Sequence, residues 1–233
     1  MYPLAILAGG LATRIKPLSN NLPKSLIPIN DVPFIDLQLK LLSDAGFKDV
    51  MLLVGHLGSQ IEKHVGNGKK YELNVSYSYD GSKQQGTGGA ITRALPSLGD
   101  IFCVMYGDSY LDMNFNEAIN KFQNSEKLGL MSIYRNLDPL HQNNVVFDGV
   151  EIKSYSKKNP SLKAKYIDHG FSIFRKETFE VYSELNEFDL SSVSESLASI
   201  GQLEAYEAHE TFYEIGSFEG IQTLAAKLKE KSK

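Results

Sequence analysis

Residues 4–10 have the sequence Leu4-Ala5-Ile6-Leu7-Ala8-Gly9-Gly10, a short apolar run that ends in a pair of glycines. An apolar run of this length, bounded by glycines, predicts a buried β-strand followed by a tight loop. Glycine has no Cβ, so the backbone N–H groups of such a loop can approach a polyphosphate closely. The stretch therefore predicts a first strand that leads into a phosphate-binding loop.

Similar apolar runs recur at Val50 to Val54, Val75 to Tyr79 and Ile101 to Tyr106, with segments of helical spacing between them. This alternation predicts an α/β fold with a Rossmann-like, mostly parallel mixed sheet flanked by helices. After about residue 128 the strand-like stretches come closer together, as in an α+β pattern. Because no linker or hinge sequence separates the two halves, we expect a single domain over residues 1–233 with one shared sheet.

The composition narrows the class of protein. Hydrophobic residues make up 42% and charged residues 22% of the 233 residues, which is typical of a globular chain with a sizeable core. The net charge is -4, and the basic residues of the tail at 227–233 form the only basic run, so no nucleic-acid partner is expected. The run at 4–8 is too short for a membrane span or a signal peptide, so no membrane partner is expected either.

The single cysteine, Cys103, lies within an apolar strand-like run. It has no intrachain partner for a disulfide, and we expect an inert buried thiol. A chain without disulfides fits a reducing compartment, so the expected location is cytoplasmic.

Cations follow the paired glycines at two positions. Arg14 lies shortly after Thr13, and Lys24 follows Pro23. Hydroxyl, guanidinium and ammonium groups are the donors that a triphosphate requires, so these residues favour a phosphate cradle. On the glycines alone, a Gly-rich turn with solvated cations is an equally good interpretation.

The segments Leu7 to Leu18 and Leu22 to Ile29 resemble the nucleotidyltransferase family of sugar-phosphate activating enzymes, whose pattern is close to L-A-G-G-x-G-T-R followed by P-K-x-L-x-P-V. The later stretch Gly86-Thr87-Gly88-Gly89-Ala90 is similar to short members that act on heptose 1-phosphate with GTP or on N-acetylmuramate 1-phosphate with UTP. One departure is Ala12, which stands where the family commonly has a third glycine.

The resemblance implies transfer of a nucleotidyl group from a nucleoside triphosphate to a sugar 1-phosphate, with release of pyrophosphate. It favours GTP with a heptose or a related sugar, and UTP with an amino sugar is the alternative. Residues 1–112 would form the nucleotide-binding half and residues 113–233 the sugar-phosphate-binding half. Homo-oligomerisation is left open by the sequence.

The resemblance also implies roles for individual residues. Arg14 would hold the leaving β- and γ-phosphates, and Lys24 would hold the α-phosphate or the attacking phosphate. Asp80 and Gln85 lie near the second glycine segment and are weaker candidates for contacts with the base or the sugar. The implied nucleotide-binding residues are Leu7, Gly9, Gly10, Thr13, Gly86, Thr87, Gly88 and Gly107.

A magnesium site is expected where an apolar strand ends in Gly107-Asp108, because ligands of open α/β sheets gather at the carboxyl ends of strands. Asp108 resembles the metal-binding aspartate of the family. A second ligand, Glu214, precedes Ile215-Gly216-Ser217 and stands where the family has aspartate. The alternatives are a turn aspartate and a surface glutamate at the end of a strand.

For the sugar phosphate, the resemblance implies Lys157, Asp168 and Gly170. Asp168 stands where the family has asparagine, and Ser156 stands where the family has an acid before the lysine. A solvated lysine pair is the alternative interpretation of Lys157 and its neighbour Lys158.

Two other functions fit parts of this sequence. Molybdopterin guanylyltransferases also have an LAGG-like loop with an arginine, but they place the lysine closer than the nine residues that separate Arg14 from Lys24 here. A non-catalytic nucleotide-sugar-binding protein would explain the departures at Ala12, Ser156, Asp168 and Glu214. The presence of Arg14, Lys24 and Asp108 together favours an enzyme.

Overall fold

The computed structural model describes residues 1–10, 22–81, 85–137, 142–185 and 187–231. The predictions for Thr13 and Arg14, and the departure at Ala12, lie outside the described residues. Within those ranges, no helix has both the length and the apolar character that a membrane crossing requires.

Strands and helices alternate through the first half and strands dominate the second. The strands are β1 (Leu4–Leu7), β2 (Pro28–Ile29), β3 (Val32–Pro33), β4 (Asp49–Val54), β5 (Asn74–Tyr79), β6 (Ile101–Tyr106), β7 (Ser109–Leu111), β8 (Gly129–Arg135), β9 (Val145–Phe147), β10 (Ile152–Tyr155), β11 (Tyr166–Arg175), β12 (Leu203–Ala208) and β13 (Phe212–Glu214). The α-helices are α1 (Phe34–Asp44), α2 (Gly58–Val65), α3 (Gly86–Ala94), α4 (Phe115–Gln123), α5 (Leu190–Ser199) and α6 (Phe218–Lys231). Short 3₁₀ turns include Lys24–Leu26 and Lys176–Tyr182.

Strands from both halves of the chain form one sheet, as expected. Strands β5, β4, β1 and β6 are parallel neighbours, and β11 follows them in the antiparallel direction. Beyond β11 lie β8 and β12, and the hairpin of β9 and β10 joins the amino end of β11. The pairings make β10 and β11 opposite in direction to the other strands of this sheet. The predicted mostly parallel mixed sheet is therefore confirmed.

Alternation along the strands divides the core into two layers. In β1, Leu4 and Ile6 face one side of the sheet, where α1, α2 and α4 pack, and Ala5 faces the other side, where α3 and α5 pack. Cys103 of β6 is fully buried in the first of these layers, as predicted. The helices cover both faces of the sheet and leave the carboxyl ends of its strands accessible. Ligands of such folds bind at those ends.

Glycine and short polar side chains mark the ends of several helices. Gly46 has a φ of 95° just beyond the end of α1, a conformation that glycine adopts without strain. Asp189 accepts a hydrogen bond from the Ser191 backbone N–H at 3.0 Å and so caps α5. Ser217 accepts one from the Gly220 N–H at 3.0 Å at the start of α6.

A small antiparallel sheet brings the end of the chain back to the end of β6. Strand β13 pairs with β7, with Glu214 opposite Ser109. Directly beyond this pair, the Ile215 N–H donates to the carbonyl oxygen of Asp108 at 3.0 Å. Glu214 and Asp108 thus lie close together at the end of this sheet, although 105 residues stand between them in the sequence.

Candidate active site

A cleft of about 460 Å³ lies at the carboxyl ends of β1, β4 and β6 and is called the main cleft below. Ten of the candidate residues that the sequence analysis singled out line it: Leu7, Gly9, Gly10, Lys24, Asp80, Gly86, Thr87, Gly107, Asp108 and Lys157. They come from both halves of the chain. The main cleft is therefore built where the parallel strands end, which is the usual ligand site of such sheets.

A lysine and an aspartate meet in this cleft. Lys24 Nζ lies 2.6 Å from Asp108 Oδ2, and the two side chains are 18% and 38% exposed. Lys24 opens the 3₁₀ turn after Pro23, whereas Asp108 follows the end of β6. A charge-assisted hydrogen bond in a partly dehydrated cleft holds both groups in place. The arrangement presents a cation and a carboxylate, the groups that a phosphate and a metal ion require.

Gly107 allows β6 to end against β1. A Cβ at this residue would lie 2.4 Å from the carbonyl oxygen of Leu7. The Gly107 N–H donates to the same oxygen at 3.2 Å. Only glycine fits here without moving the backbone, and Asp108 is held at the cleft as a result.

The second glycine segment packs against the residues that precede α5. A Cβ at Gly88 would lie 2.2 Å from Cε2 of the Phe188 ring, and the Gly88 N–H donates to the Phe188 carbonyl oxygen at 2.9 Å. Thr87 Oγ1 accepts from the Leu190 N–H at 2.8 Å. Gly86 and Thr87 also line the main cleft, whereas Gly88 is not among its lining residues. Close packing thus accounts for Gly88, and a role in nucleotide binding is not needed to explain it.

Replacing Gly86 with alanine should destabilise the fold by about 3 kcal/mol, because the added Cβ meets backbone as well as an unfavourable φ. The φ of Gly86 is 69°, and a Cβ there would lie 2.4 Å from the Phe188 carbonyl oxygen. Gly201 is a matched control, since its φ is 68° but a Cβ would have open space. Gly201→Ala should cost only about 1 kcal/mol. Urea unfolding measures both, and equal losses would contradict the packing argument.

A second pocket of about 230 Å³ adjoins the main cleft and is called the side pocket. Tyr106, Asp108 and Lys157 line both. Lys157 follows β10, and its Nζ lies 3.7 Å from Asp189 Oδ2 and 6.0 Å from the centroid of the Tyr106 ring. The ammonium group therefore stands at the junction of the two cavities.

Asp168 lines the side pocket and is held on several sides. Its Oδ1 accepts from the Gly170 N–H at 3.0 Å, and its Oδ2 accepts from the Tyr155 hydroxyl at 3.3 Å. Its own backbone N–H donates to Asn144 Oδ1 at 2.9 Å. Burial raises the pKa of Asp168 to about 6, although the Gly170 N–H and the Lys157 charge oppose the shift. The carboxylate is ionised at pH 7.5 and its orientation is fixed.

His169, beside it, is an uncharged acceptor. Its Nε2 lies 2.9 Å from the carbonyl oxygen of Glu210, so that nitrogen carries the proton and donates. Nδ1 then has a free lone pair, and it has no hydrogen-bond partner among the described residues. The side chain is only 1% exposed, and this burial lowers its pKa to about 4. At neutral pH His169 brings no positive charge to the side pocket.

Two carboxylates lie where the sequence predicts a divalent cation. Asp108 and Glu214 both line the side pocket, and their backbones are neighbours across the β7–β13 pair. Carboxylate oxygens are the ligands that magnesium prefers, so this donor set fits the expected ion. Among the described residues, no three histidine, cysteine, aspartate or glutamate side chains lie close enough together to hold a metal ion.

Sequence reasoning missed several residues that line the two cavities. They are Tyr106, Asn144, Tyr155 and Glu187. Tyr106 could have been found, because it is the last residue of the strand before Gly107-Asp108. The others come from separate strands and loops, and no local pattern marks them. Asp80, a weaker candidate, does line the main cleft, and burial raises its pKa against the nearby charge of Arg93.

The fold and the cleft together define an α/β protein with paired glycines after its first strand and a lysine–carboxylate pair at the strand ends. The chain matches the family model for nucleotidyl transferases over residues 4–230, and it belongs to that family.

Relatives and solved structures agree with this assignment. The chain is 37% identical to N-acetylmuramate alpha-1-phosphate uridylyltransferase of Neisseria meningitidis over 53% of this chain and 52% of that protein. It is 34% identical to D-glycero-alpha-D-manno-heptose 1-phosphate guanylyltransferase of Campylobacter jejuni over 48% of this chain and 50% of that protein. The fold matches the structure of HddC from Yersinia pseudotuberculosis complexed with GMP-PN, with a TM-score of 0.81 and 24% identity over 98% of this chain and 100% of that one. The matched regions span about half the length of the curated relatives.

Proposed function

We propose that the chain transfers a nucleotidyl group from a nucleoside triphosphate to a sugar 1-phosphate, yielding a nucleoside diphosphate sugar and pyrophosphate. The observation that carries the proposal is the convergence of Lys24, Asp108 and Lys157 on one cleft beside the Gly9–Gly10 loop. The family and the activities named for its relatives support the same reaction.

The reaction would be a direct displacement at phosphorus. An anionic oxygen of the sugar phosphate attacks the α-phosphorus and forms a new P–O bond, while the bond from the α-phosphorus to the oxygen bridging to the β-phosphorus breaks. Pyrophosphate leaves with that electron pair. The nucleophile is already ionised, so catalysis requires positioning and charge neutralisation rather than a general base.

Each charged residue has a proposed part in this step. Lys24 would neutralise the α-phosphate, and Arg14 would hold the leaving phosphates. Lys157 would anchor the sugar phosphate at the junction of the two cavities. Asp108 and Glu214 would hold Mg²⁺, which when bound neutralises charge on the phosphate oxygens.

We propose that the two substrates bind in the two cavities. Residues 1–112 contribute most of the main cleft, where the nucleotide would lie, and residues 113–233 contribute most of the side pocket, where the sugar would lie. GTP with a heptose or related sugar is the first combination proposed, in line with the Campylobacter relative, and UTP with an amino sugar is the alternative. A lone buried cysteine supports a cytoplasmic site of action.

A substrate screen tests the proposal. The four nucleoside triphosphates are each combined with a panel of sugar 1-phosphates and Mg²⁺, and pyrophosphate release is measured. We expect release with at least one combination, together with the corresponding nucleotide sugar by mass spectrometry. The reverse reaction, in which pyrophosphate and that nucleotide sugar regenerate the triphosphate, is the control. Absence of both reactions across the whole panel would refute the proposed function.

A further inference from the structure

The side pocket limits the class of sugar that the proposed reaction can use. We infer that it accepts sugar 1-phosphates whose sugar carries no carboxylate, and that Asp168 discriminates against acidic sugars. This inference rests on the proposed function, because it concerns the second substrate of the same site.

The charges that line the side pocket support this selection. Lys157 is the one cationic side chain among its described lining residues, which also include Asp108, Asp168 and Glu214. In the proposed reaction the phosphate of the substrate engages Lys157, and the metal engages Asp108 and Glu214. A carboxylate on the sugar would then find no cation among the described lining residues, and it would face Asp168. Juxtaposed like charges in a partly dehydrated pocket weaken binding strongly.

Asp168 cannot easily turn away from such a substrate. The Gly170 N–H and the Tyr155 hydroxyl hold its two oxygens, and Asn144 holds its backbone. The Tyr106 hydroxyl also bonds to this carboxylate. One of its four lone-pair positions therefore remains to accept from a sugar hydroxyl. A carboxylate offers no donor to another carboxylate, whereas asparagine in the same place would offer an N–H.

The neighbouring histidine does not compensate. His169 donates through Nε2 to the Glu210 carbonyl, so the remaining nitrogen, Nδ1, is an acceptor. The pKa of His169, lowered to about 4 by burial, keeps the ring neutral in the range where the assay would run. The remaining acceptor position of Asp168 therefore suits a sugar that presents a hydroxyl or amide donor.

Matched pairs of substrates test the inference. Glucose 1-phosphate is compared with glucuronic acid 1-phosphate, and N-acetylglucosamine 1-phosphate with N-acetylmuramic acid 1-phosphate, at pH 8 with the triphosphate chosen by the screen. Within a pair, the sugars differ by one carboxylate or a carboxylate-bearing ether. We expect kcat/KM to be about tenfold or more higher for the neutral member.

Three variants separate the effect of Asp168 from general damage. Asp168→Asn should raise the relative use of the acidic member about tenfold, because the repelling charge is lost while the Gly170 contact can persist. Asn144→Asp should lower it further, since it adds a charge at the same pocket. Asp44→Asn, an exposed change in α1 at a residue that lines neither cavity, should leave the ratio unchanged. Thermal unfolding shows which variants are folded. If Asp168→Asn is not folded, the ratio measured for Asn144→Asp decides whether negative charge in the side pocket selects against the acidic sugar.

The outcomes distinguish this inference from the proposed function. If the wild type uses the acidic member as well as the neutral one, the inference is wrong and the proposed function stands. An unchanged ratio in folded Asp168→Asn also overturns it. If no sugar 1-phosphate of either kind gives pyrophosphate, the proposed function fails and the inference fails with it.

Discussion

Replacing Lys24 with alanine is expected to lower kcat/KM for pyrophosphate release by about 100-fold or more. The ammonium group lies 2.6 Å from Asp108 Oδ2, and the side chain is only 18% exposed, so its charge acts in a partly dehydrated cleft. There a fixed cation stabilises developing charge on phosphate oxygens more than it would in water. Steady-state kinetics with separately varied triphosphate and sugar phosphate measure the loss and divide it between kcat and KM.

Two further variants serve as controls for the Lys24→Ala measurement. Lys40→Ala removes a lysine from the exposed face of α1, where it pairs with Asp44, and should leave the kinetics near wild type. Lys24→Arg keeps the charge but changes its geometry, and we expect partial activity. A Lys24→Ala protein that is folded and turns over at near wild-type rate under saturating substrates would rule out the proposed role of Lys24.

Removing the carboxylate of Asp108 should have an effect of the same size. Asp108→Ala is expected to lower kcat by about 100-fold or more, because the proposed metal loses a ligand and Lys24 loses its partner. Asp108→Asn keeps the shape and separates loss of charge from loss of volume. Titration with Mg²⁺ should show a weaker apparent metal affinity in both variants, and calorimetry with Mn²⁺ in the absence of substrates measures that affinity directly.

The double variant shows whether the two residues act together. Lys24 and Asp108 are in contact, so the effects of single substitutions should not add. If both serve one transition state, Lys24→Ala combined with Asp108→Ala should be little slower than either variant alone. Additive losses would mean that the two groups act in separate steps, and wild-type metal affinity in Asp108→Ala would contradict the metal role.

Local patterns predicted the first half of the fold well. The four predicted runs became β1, β4, β5 and β6. Strands β1, β4 and β6 are apolar along their length because both of their faces are buried, whereas β5 is an edge strand in which Ser alternates with Val and Tyr. The strands of the second half were harder to predict from the sequence. Strand β11 extends from Tyr166 to Arg175, yet only its end is apolar enough to predict, since Asp168, His169 and Gly170 interrupt the run. Strand β12 was missed entirely, although it pairs with β8 over its whole length.

The candidate site shows the same division. Lys24, Asp108 and Lys157 could each be singled out because they stand at positions that match the family's motifs. The local pattern alone left a turn aspartate and a solvated lysine pair as alternatives. The glycines could be found too, but the sequence does not show which contacts require glycine at those positions. Gly88 is explained by the ring of Phe188, 100 positions later, and no local pattern connects the two.

The sequence by itself therefore determined the α/β class and the chemical types of the groups at the candidate site. Those properties depend on periodicity and on residue type, which are local. Only the tertiary structure decided that Lys24 contacts Asp108, that Glu214 returns to the same pocket, and that Asp168 faces it with His169 neutral at its side. Such contacts join residues from distant parts of the chain, and burial in the assembled fold sets their distances and protonation states.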